Sequence, residues 1–112
     1  MAALTATTPS RAGTVTAGAA VAASDTIALT QLGTYGALLE IINGNASPDS
    51  MTISDASTTV TGAGAASNAP SVTNGTSKIF KIVPQQADPV TGLVTVTHSV
   101  TATVTYKLYP LG

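Results

Sequence analysis

Residues 94–108, with the sequence VTVTHSVTATVTYKL, alternate strictly between two kinds of side chain. Every even position carries Val, His, Ala, Tyr or Leu, and every odd position carries Thr, Ser or Lys. Alternation with a period of two is typical of a β-strand that buries one face and exposes the other. Because the run is longer than an ordinary strand of roughly 3–10 residues, we predict two strands that meet near residues 99–102.

Two segments in the middle of the chain also have strand character. Residues 37–44 (ALLEIING) are apolar and partly β-branched and stop at Asn-Gly, which favours a buried strand over a helix. Residues 50–55 (SMTISD) alternate, so we expect Met51 and Ile53 to point inward. Between the two segments lies a dense group of turn-forming residues.

Two further strands complete the pattern. Residues 77–84 (SKIFKIVP) have strand character until Pro84, which cannot donate a backbone hydrogen bond to a neighbouring strand. Residues 25–36 (DTIALTQLGTYG) predict a short strand followed by a turn at Gly33 or Gly36.

The fold class follows from these strands and from the lack of a helical pattern. The sequence has no long 3.6-residue period, and no capping box stands before an apolar run. Thr, Val and Ile also outweigh the good helix formers. We therefore predict an all-β protein, a small antiparallel β-sandwich or barrel-like domain of about seven or eight short strands.

The chain divides into an arm and one domain. Residues 1–24 are rich in Ala, Thr, Ser and Gly and lack a sustained apolar period, so they predict an extended N-terminal arm, with at most a short strand near 14–17. Residues 25–112 form the single β-domain. Within it, residues 56–76 predict a long loop, with at most a short strand near 58–61.

Composition restricts the kind of protein. Charged residues make up only 8% of the 112-residue chain, against roughly 25% in typical soluble domains. A surface of neutral small residues indicates that much of it meets other protein, although an extracellular β-domain with neutral polar faces has the same composition. The chain has no cysteine, which excludes disulfides and thiol chemistry.

Nucleic acid and membrane are not expected partners. The four basic residues are scattered, except for Lys78 and Lys81 on either side of Ile79 and Phe80, and aromatic residues make up 4% of the chain. Nucleic-acid sites need clustered positive charge or stacking platforms. No run approaches the roughly 18 apolar residues of a membrane-spanning helix.

The residues that could carry chemistry have structural explanations. His98 lies on the inward face and is expected half-buried at a strand end, while Ser99 points to the opposite face and cannot act as its nucleophile. Asp25, Asp49 and Asp88 are expected to accept backbone N–H groups at turns or strand starts. We predict no catalytic residue, no metal and no cofactor, since Asp49 and Asp55 alone are too few for a calcium loop and GAGAAS lacks the helix of a dinucleotide site.

Glu40 needs a separate explanation because it interrupts the apolar run of residues 37–44. It shares a face with Leu38 and Ile42. We expect either a cationic neighbour or an exposed sheet edge beside its carboxylate.

Three stretches carry a resemblance to a known family. ALTATTPSRAGTVTAGAAVAASDTI (3–27), LLEIINGNASPDSMTISD (38–55) and VTVTHSVTATVTYKLYPL (94–111) resemble the decoration or cement proteins that coat the capsids of tailed bacteriophages. The resemblance spans most of the chain and rests on general pattern. It implies a β-sandwich-like virion protein present in many copies, bound on the capsid surface to the major capsid protein where subunits meet, commonly as trimers, with the mechanical role of stabilising the expanded shell.

If the resemblance holds, the arm and the long loop are the expected contacts. An arm and a loop without cores of their own can drape over neighbouring subunits. Tyrosines near the C-terminus are expected either as aromatic anchors or as core or rim packing. The predicted protein-interface residues are Thr5, Thr7, Pro9, Arg11, Gly62, Gly64, Asn68, Tyr106 and Tyr109.

Two alternatives remain open at the level of sequence. One is a different virion subunit of the tail tube or of head completion, which would share this composition. The other is a carbohydrate-binding or other ligand-binding β-sandwich, against which the low aromatic content argues.

Overall fold

The computed structural model describes residues 2–15, 17–57 and 68–111. Within these ranges the chain forms nine β-strands and two short 3-10 helices. The strands are β1 Ala2–Ala3, β2 Ala19–Ala20, β3 Ser24–Ala28, β4 Ala37–Asn43, β5 Asp49–Ile53, β6 Ser71–Val72, β7 Ser77–Ile82, β8 Leu93–His98 and β9 Val104–Pro110. The 3-10 helices are Leu29–Gln31 and Pro84–Gln86.

The strands form two sheets that pack against each other as a sandwich. One sheet has the order β1-β3-β8-β5-β6 and the other has the order β2-β9-β4-β7. Strand pairs are antiparallel except for the short parallel pair of β1 and β3. The prediction of an all-β sandwich is confirmed, and across the described residues the sheets do not close into the barrel-like alternative.

The alternating run of residues 94–108 forms β8 and β9, as predicted. Its even-numbered residues within the two strands are buried, and its odd-numbered residues are half-buried on the outer faces. The two strands do not pair with each other, because β8 belongs to the five-stranded sheet and β9 to the four-stranded sheet. The chain crosses between the sheets at residues 99–103, where Thr103 adopts a left-handed conformation with φ of 56° that glycine or asparagine usually supplies.

Strand β4 is an inner strand of the four-stranded sheet. Leu39 and Ile41 are buried in the core, whereas Leu38, Glu40 and Ile42 are half-buried on the outer face. The register places Lys107 of β9 directly across from Glu40, so the glutamate has the cationic cross-strand neighbour that its position requires. In β5, the predicted inward residues are buried as well.

The turn before β4 uses both glycines that the sequence indicated. The N–H groups of Gly33 and Gly36 each donate to the carbonyl of the other, at 2.8 and 3.0 Å. Gly36 has φ of 99°, and a Cβ added there would lie 1.9 Å from the carbonyl oxygen of Ile82. A larger residue at position 36 therefore requires the backbone to move.

The weak strand predictions need correction. The predicted strand at 14–17 is wrong, since the described residues of that range are not in a strand. The strand of this region is β2, a few residues later, where Ala19 pairs with Tyr106 of β9. The predicted strand near 58–61 lies outside the described residues. The described end of the predicted loop at 56–76 contains β6, which pairs with β5.

The N-terminal segment joins the two sheets along one side of the sandwich. β1 extends the edge of one sheet beside β3, and β2 extends the edge of the other beside β9. Between them, the Thr7 N–H donates to the Leu108 carbonyl at 2.8 Å. Leu4, which is 3% exposed, and Val21 belong to the hydrophobic core. The segment is thus attached to the sandwich by backbone pairing and by burial.

Candidate interaction surfaces and a buried charged cluster

Several predicted interface residues surround one groove of about 280 Å³ beside β9. Thr5 and Thr7 line it from the outgoing N-terminal chain, and the chain returning toward β2 lines it as well. Tyr106 and Tyr109 contribute from β9. The Thr5 N–H donates to the hydroxyl oxygen of Tyr106 at 3.0 Å, so the tyrosine holds the outgoing chain against the sheet.

The two tyrosines occupy different environments. Tyr106 is 8% exposed and packs within the hydrophobic core, as the core-packing alternative describes. Tyr109 is half-buried on the outer face of the four-stranded sheet. An anchoring role at an interface stays a prediction for both residues.

After Thr7 the chain leaves the sandwich, and we call residues 8–15 the N-terminal excursion. Pro9 and Arg11 are exposed there. A tight turn shapes it, since the Ser10 N–H donates to the Thr14 hydroxyl at 2.8 Å. Val15 is 100% exposed. The excursion is shaped locally and offers its side chains to solvent.

The predicted contacts in the long loop are described at one residue. Asn68 is exposed and exchanges backbone hydrogen bonds with Ile53, with N···O distances of 2.7 and 3.0 Å. Gly62 and Gly64 lie outside the described residues. Their part in an interface stays a prediction.

The outer faces of the two sheets differ in chemistry. The five-stranded sheet presents threonines, with Thr52 directly across from Thr97 and their hydroxyl groups in contact. The four-stranded sheet presents large apolar side chains instead, and we call this surface the apolar face. Its members on β4, β7 and β9 are Leu38, Ile42, Ile79 and Tyr109. Ile79 lies on the edge strand β7 and is 61% exposed.

Charged residues lie among the apolar ones on this face. Lys81 is directly across from Leu38, and Glu40 is flanked by Ile79 on one side and by Lys107 on the other. The face therefore combines exposed apolar area with two cations and one carboxylate.

A buried charged cluster lies at the opposite side of the core, between strands of the five-stranded sheet. It consists of Asp25 on β3, His98 on β8 and Asp49 on β5, and all three are buried. His98 Nδ1 lies 2.6 Å from Asp49 Oδ2, and His98 Nε2 lies 3.9 Å from Asp25 Oδ2. The histidine is at the end of β8 as predicted, and it is more deeply buried than predicted.

Sequence reasoning treated these residues one at a time and missed their association. The alternation contained the signal, because Asp25 shares the inward face with Ile27, and Asp49 shares it with Met51. Asp25 does accept a backbone N–H, that of Ala22 at 3.1 Å. The sequence did not show that β3, β8 and β5 are neighbours in one sheet, which is what brings the three residues together.

Ser99, the hydroxyl residue next to His98 in the sequence, points away from the cluster. The hydroxyl of Ser99 accepts the N–H of Ser50 at 2.7 Å and lies outside the core, on the opposite face from His98 as predicted. The described residues contain no group of three or more His, Cys, Asp or Glu side chains that could hold a metal ion.

Comparison with known proteins adds no family. No protein-family model, curated protein or solved structure matches the chain. Across the described residues, no helix is sufficiently long and apolar to span a membrane.

Proposed function

We propose that this protein is a structural subunit of a virion, a decoration or cement protein that binds the outside of a phage capsid. In this proposal it contacts neighbouring subunits of the major capsid protein and stabilises the shell mechanically, without catalytic activity or a cofactor. Many copies act together on the capsid surface, as a homo-oligomer such as a trimer. The family resemblance of the sequence supports this proposal.

The observation that carries the proposal is the apolar face. A solvated sheet normally presents polar side chains outward, as the threonine face of this protein does. Large apolar groups gathered on the other outer face are typical of a surface that is covered by another protein. Lys81 and Lys107 at this face fit a partner surface that is apolar and carries carboxylates opposite them.

The low charge content and the N-terminal excursion are consistent with the same role. Only 8% of the residues are charged. Contact with another protein therefore desolvates few charged side chains, which keeps the free-energy cost of burial low. The excursion presents Pro9, Arg11 and Val15 beyond the sandwich, where they can reach a second subunit.

The first test is sedimentation of particles from the native source, followed by mass spectrometry that counts copies of this chain per particle. A copy number comparable to that of the coat protein, in DNA-filled particles, is the expected result. A handful of copies would point instead to a tail or head-completion subunit. Recovery only among slowly sedimenting soluble proteins would refute a virion role.

A second test separates the apolar face from other exposed apolar residues. Ile79→Ser removes the most exposed apolar side chain of the face and should weaken binding to stripped capsids by about tenfold or more. Val90→Ser is the matched control, because Val90 is 90% exposed but lies outside the sheets, in the turn before β8. Equal binding by both variants would remove the apolar face from the proposal.

A further inference from the structure

The buried charged cluster contains two carboxyl groups, and it contains a positive group only if its histidine carries two protons. Asp25 and Asp49 have no side-chain exposure, and neither does His98. The basic residues of the chain are elsewhere: Arg11, Lys78 and Lys81 are exposed, and Lys107 lies on the outer face of the other sheet. The only cation available to the two carboxylates among the described residues is therefore the imidazole ring itself.

Backbone N–H groups donate hydrogen bonds to both buried carboxyl groups. Asp49 Oδ1 accepts the N–H of Ser99 at 3.0 Å, while its Oδ2 faces His98 Nδ1. Asp25 accepts the N–H of Ala22 through Oδ2 at 3.1 Å. Backbone donors directed at carboxylate oxygens favour the ionised form of the acid.

The second ring nitrogen distinguishes the protonation states. His98 Nε2 is buried and has no hydrogen-bond partner among the described residues, and Asp25 Oδ2 lies 3.9 Å from it. In a neutral ring that donates from Nδ1, Nε2 would present its lone pair toward a second buried carboxylate, which is repulsive. With a proton on Nε2 the same contact becomes an attraction between opposite charges.

We propose that His98 is held in the folded protein as a doubly protonated imidazolium between Asp25 and Asp49, and that this proton site fastens the N-terminal segment to the sandwich. The fastening is direct, since the cluster's own residues hold the chain entering β3. Asp25 binds the N–H of Ala22, and the backbone N–H of His98 donates to the carbonyl of Ala23 at 2.9 Å. Loss of the Nε2 proton should therefore loosen the segment that leads from β2 into β3. This inference does not depend on the proposed function.

The proton is located directly by long-range ¹H–¹⁵N NMR of the wild-type protein. His98 is the only histidine, so its ring signals need no assignment by mutation. We expect both ring nitrogens to show the shifts of a protonated imidazolium at neutral pH. A spectrum with one protonated and one bare nitrogen would overturn the proposal, whatever the variants do.

A pair of carboxylate substitutions tests the source of the effect. Asp25→Asn removes the negative charge facing Nε2 and should convert the ring to the singly protonated form at the same pH. Asp88→Asn is the matched control, because Asp88 also accepts a backbone N–H, that of Val90, but lies at the other end of β8. A ring that stays doubly protonated in Asp25→Asn would show that Asp25 does not hold the proton.

The fastening is tested by amide hydrogen exchange in the wild-type protein while base removes the Nε2 proton, as followed in the ring spectrum. Amides of residues 21–26 should exchange about tenfold faster once the proton is lost, after correction for the intrinsic rate, and those of Leu39 and Ile41 should change little. A uniform change across the sandwich, or none, would overturn the role in holding the N-terminal segment.

Discussion

Replacing Leu4 with alanine should reveal how firmly the N-terminal segment belongs to the fold. The side chain is 3% exposed and packs in the core, although it comes from a stretch that looks like a polar arm in the sequence. Truncation of a buried leucine costs about 2–5 kcal/mol, depending on how well the site collapses. We expect about 2–4 kcal/mol here, because a terminal segment can shift more easily than an inner strand.

This cost translates into a large change in melting temperature. An unfolding entropy of about 2.1 cal/mol/K per residue over 112 residues gives about 4 °C for each kcal/mol. Leu4→Ala should therefore lower the midpoint by about 8–16 °C in calorimetry, and urea unfolding followed by circular dichroism should give the matching loss of free energy.

Val15→Ala is the matched control for this substitution. It truncates an apolar residue of the same N-terminal region, but Val15 is 100% exposed and should change the midpoint by little. Equal midpoints for Leu4→Ala and the wild type would show that the segment is a detachable arm, as the sequence suggests when read without the structure. Deletion of the first ten residues would then also leave melting intact.

The local backbone geometry predicts the effect of two substitutions on stability. Thr103→Gly should stabilise the protein by about 0.5–1 kcal/mol in urea unfolding, because Thr103 adopts φ of 56°, whereas Thr101→Gly in the same turn should not stabilise it. Gly36→Ala should destabilise by about 2–4 kcal/mol, since its Cβ would meet the Ile82 carbonyl oxygen at 1.9 Å. Gly75→Ala has a comparable φ of 75° with no atom within 4 Å, so it should cost only about 1 kcal/mol; equal losses for the two alanines would contradict the steric reason.

The strand pattern was predictable because it depends on neighbouring residues. Alternation at residues 94–108 and in SMTISD showed which side chains point inward, and the buried positions agree. The break between β8 and β9 was placed correctly, although no glycine or asparagine marks it. Thr103 adopts the required conformation, and the carbonyl groups of Ala102 and Thr103 accept hydrogen bonds from Asn45 and Gly44. That compensation comes from another loop and could not be found in the turn itself.

The candidate sites were predictable only in part. Thr5, Thr7 and the two tyrosines were singled out separately, and the structure brings them around one groove. The apolar face was indicated only by the continuous apolar run of β4, since the exposure of Ile79 depends on β7 lying at the sheet edge. The buried charged cluster was missed because its members come from three strands far apart in the chain.

From its sequence alone, this protein was determined to be an all-β chain with few charges, no cysteine and a known set of inward positions. These features depend on covalent geometry and on the side chains within a few residues, which the period of two records. The tertiary structure alone decided the sheet order, the packing of Leu4 against the core and the meeting of Asp25, His98 and Asp49. Such contacts form only when the chain closes long loops and brings distant segments together. Local periodicity shows which side chains point inward, but it does not indicate which distant segments will meet.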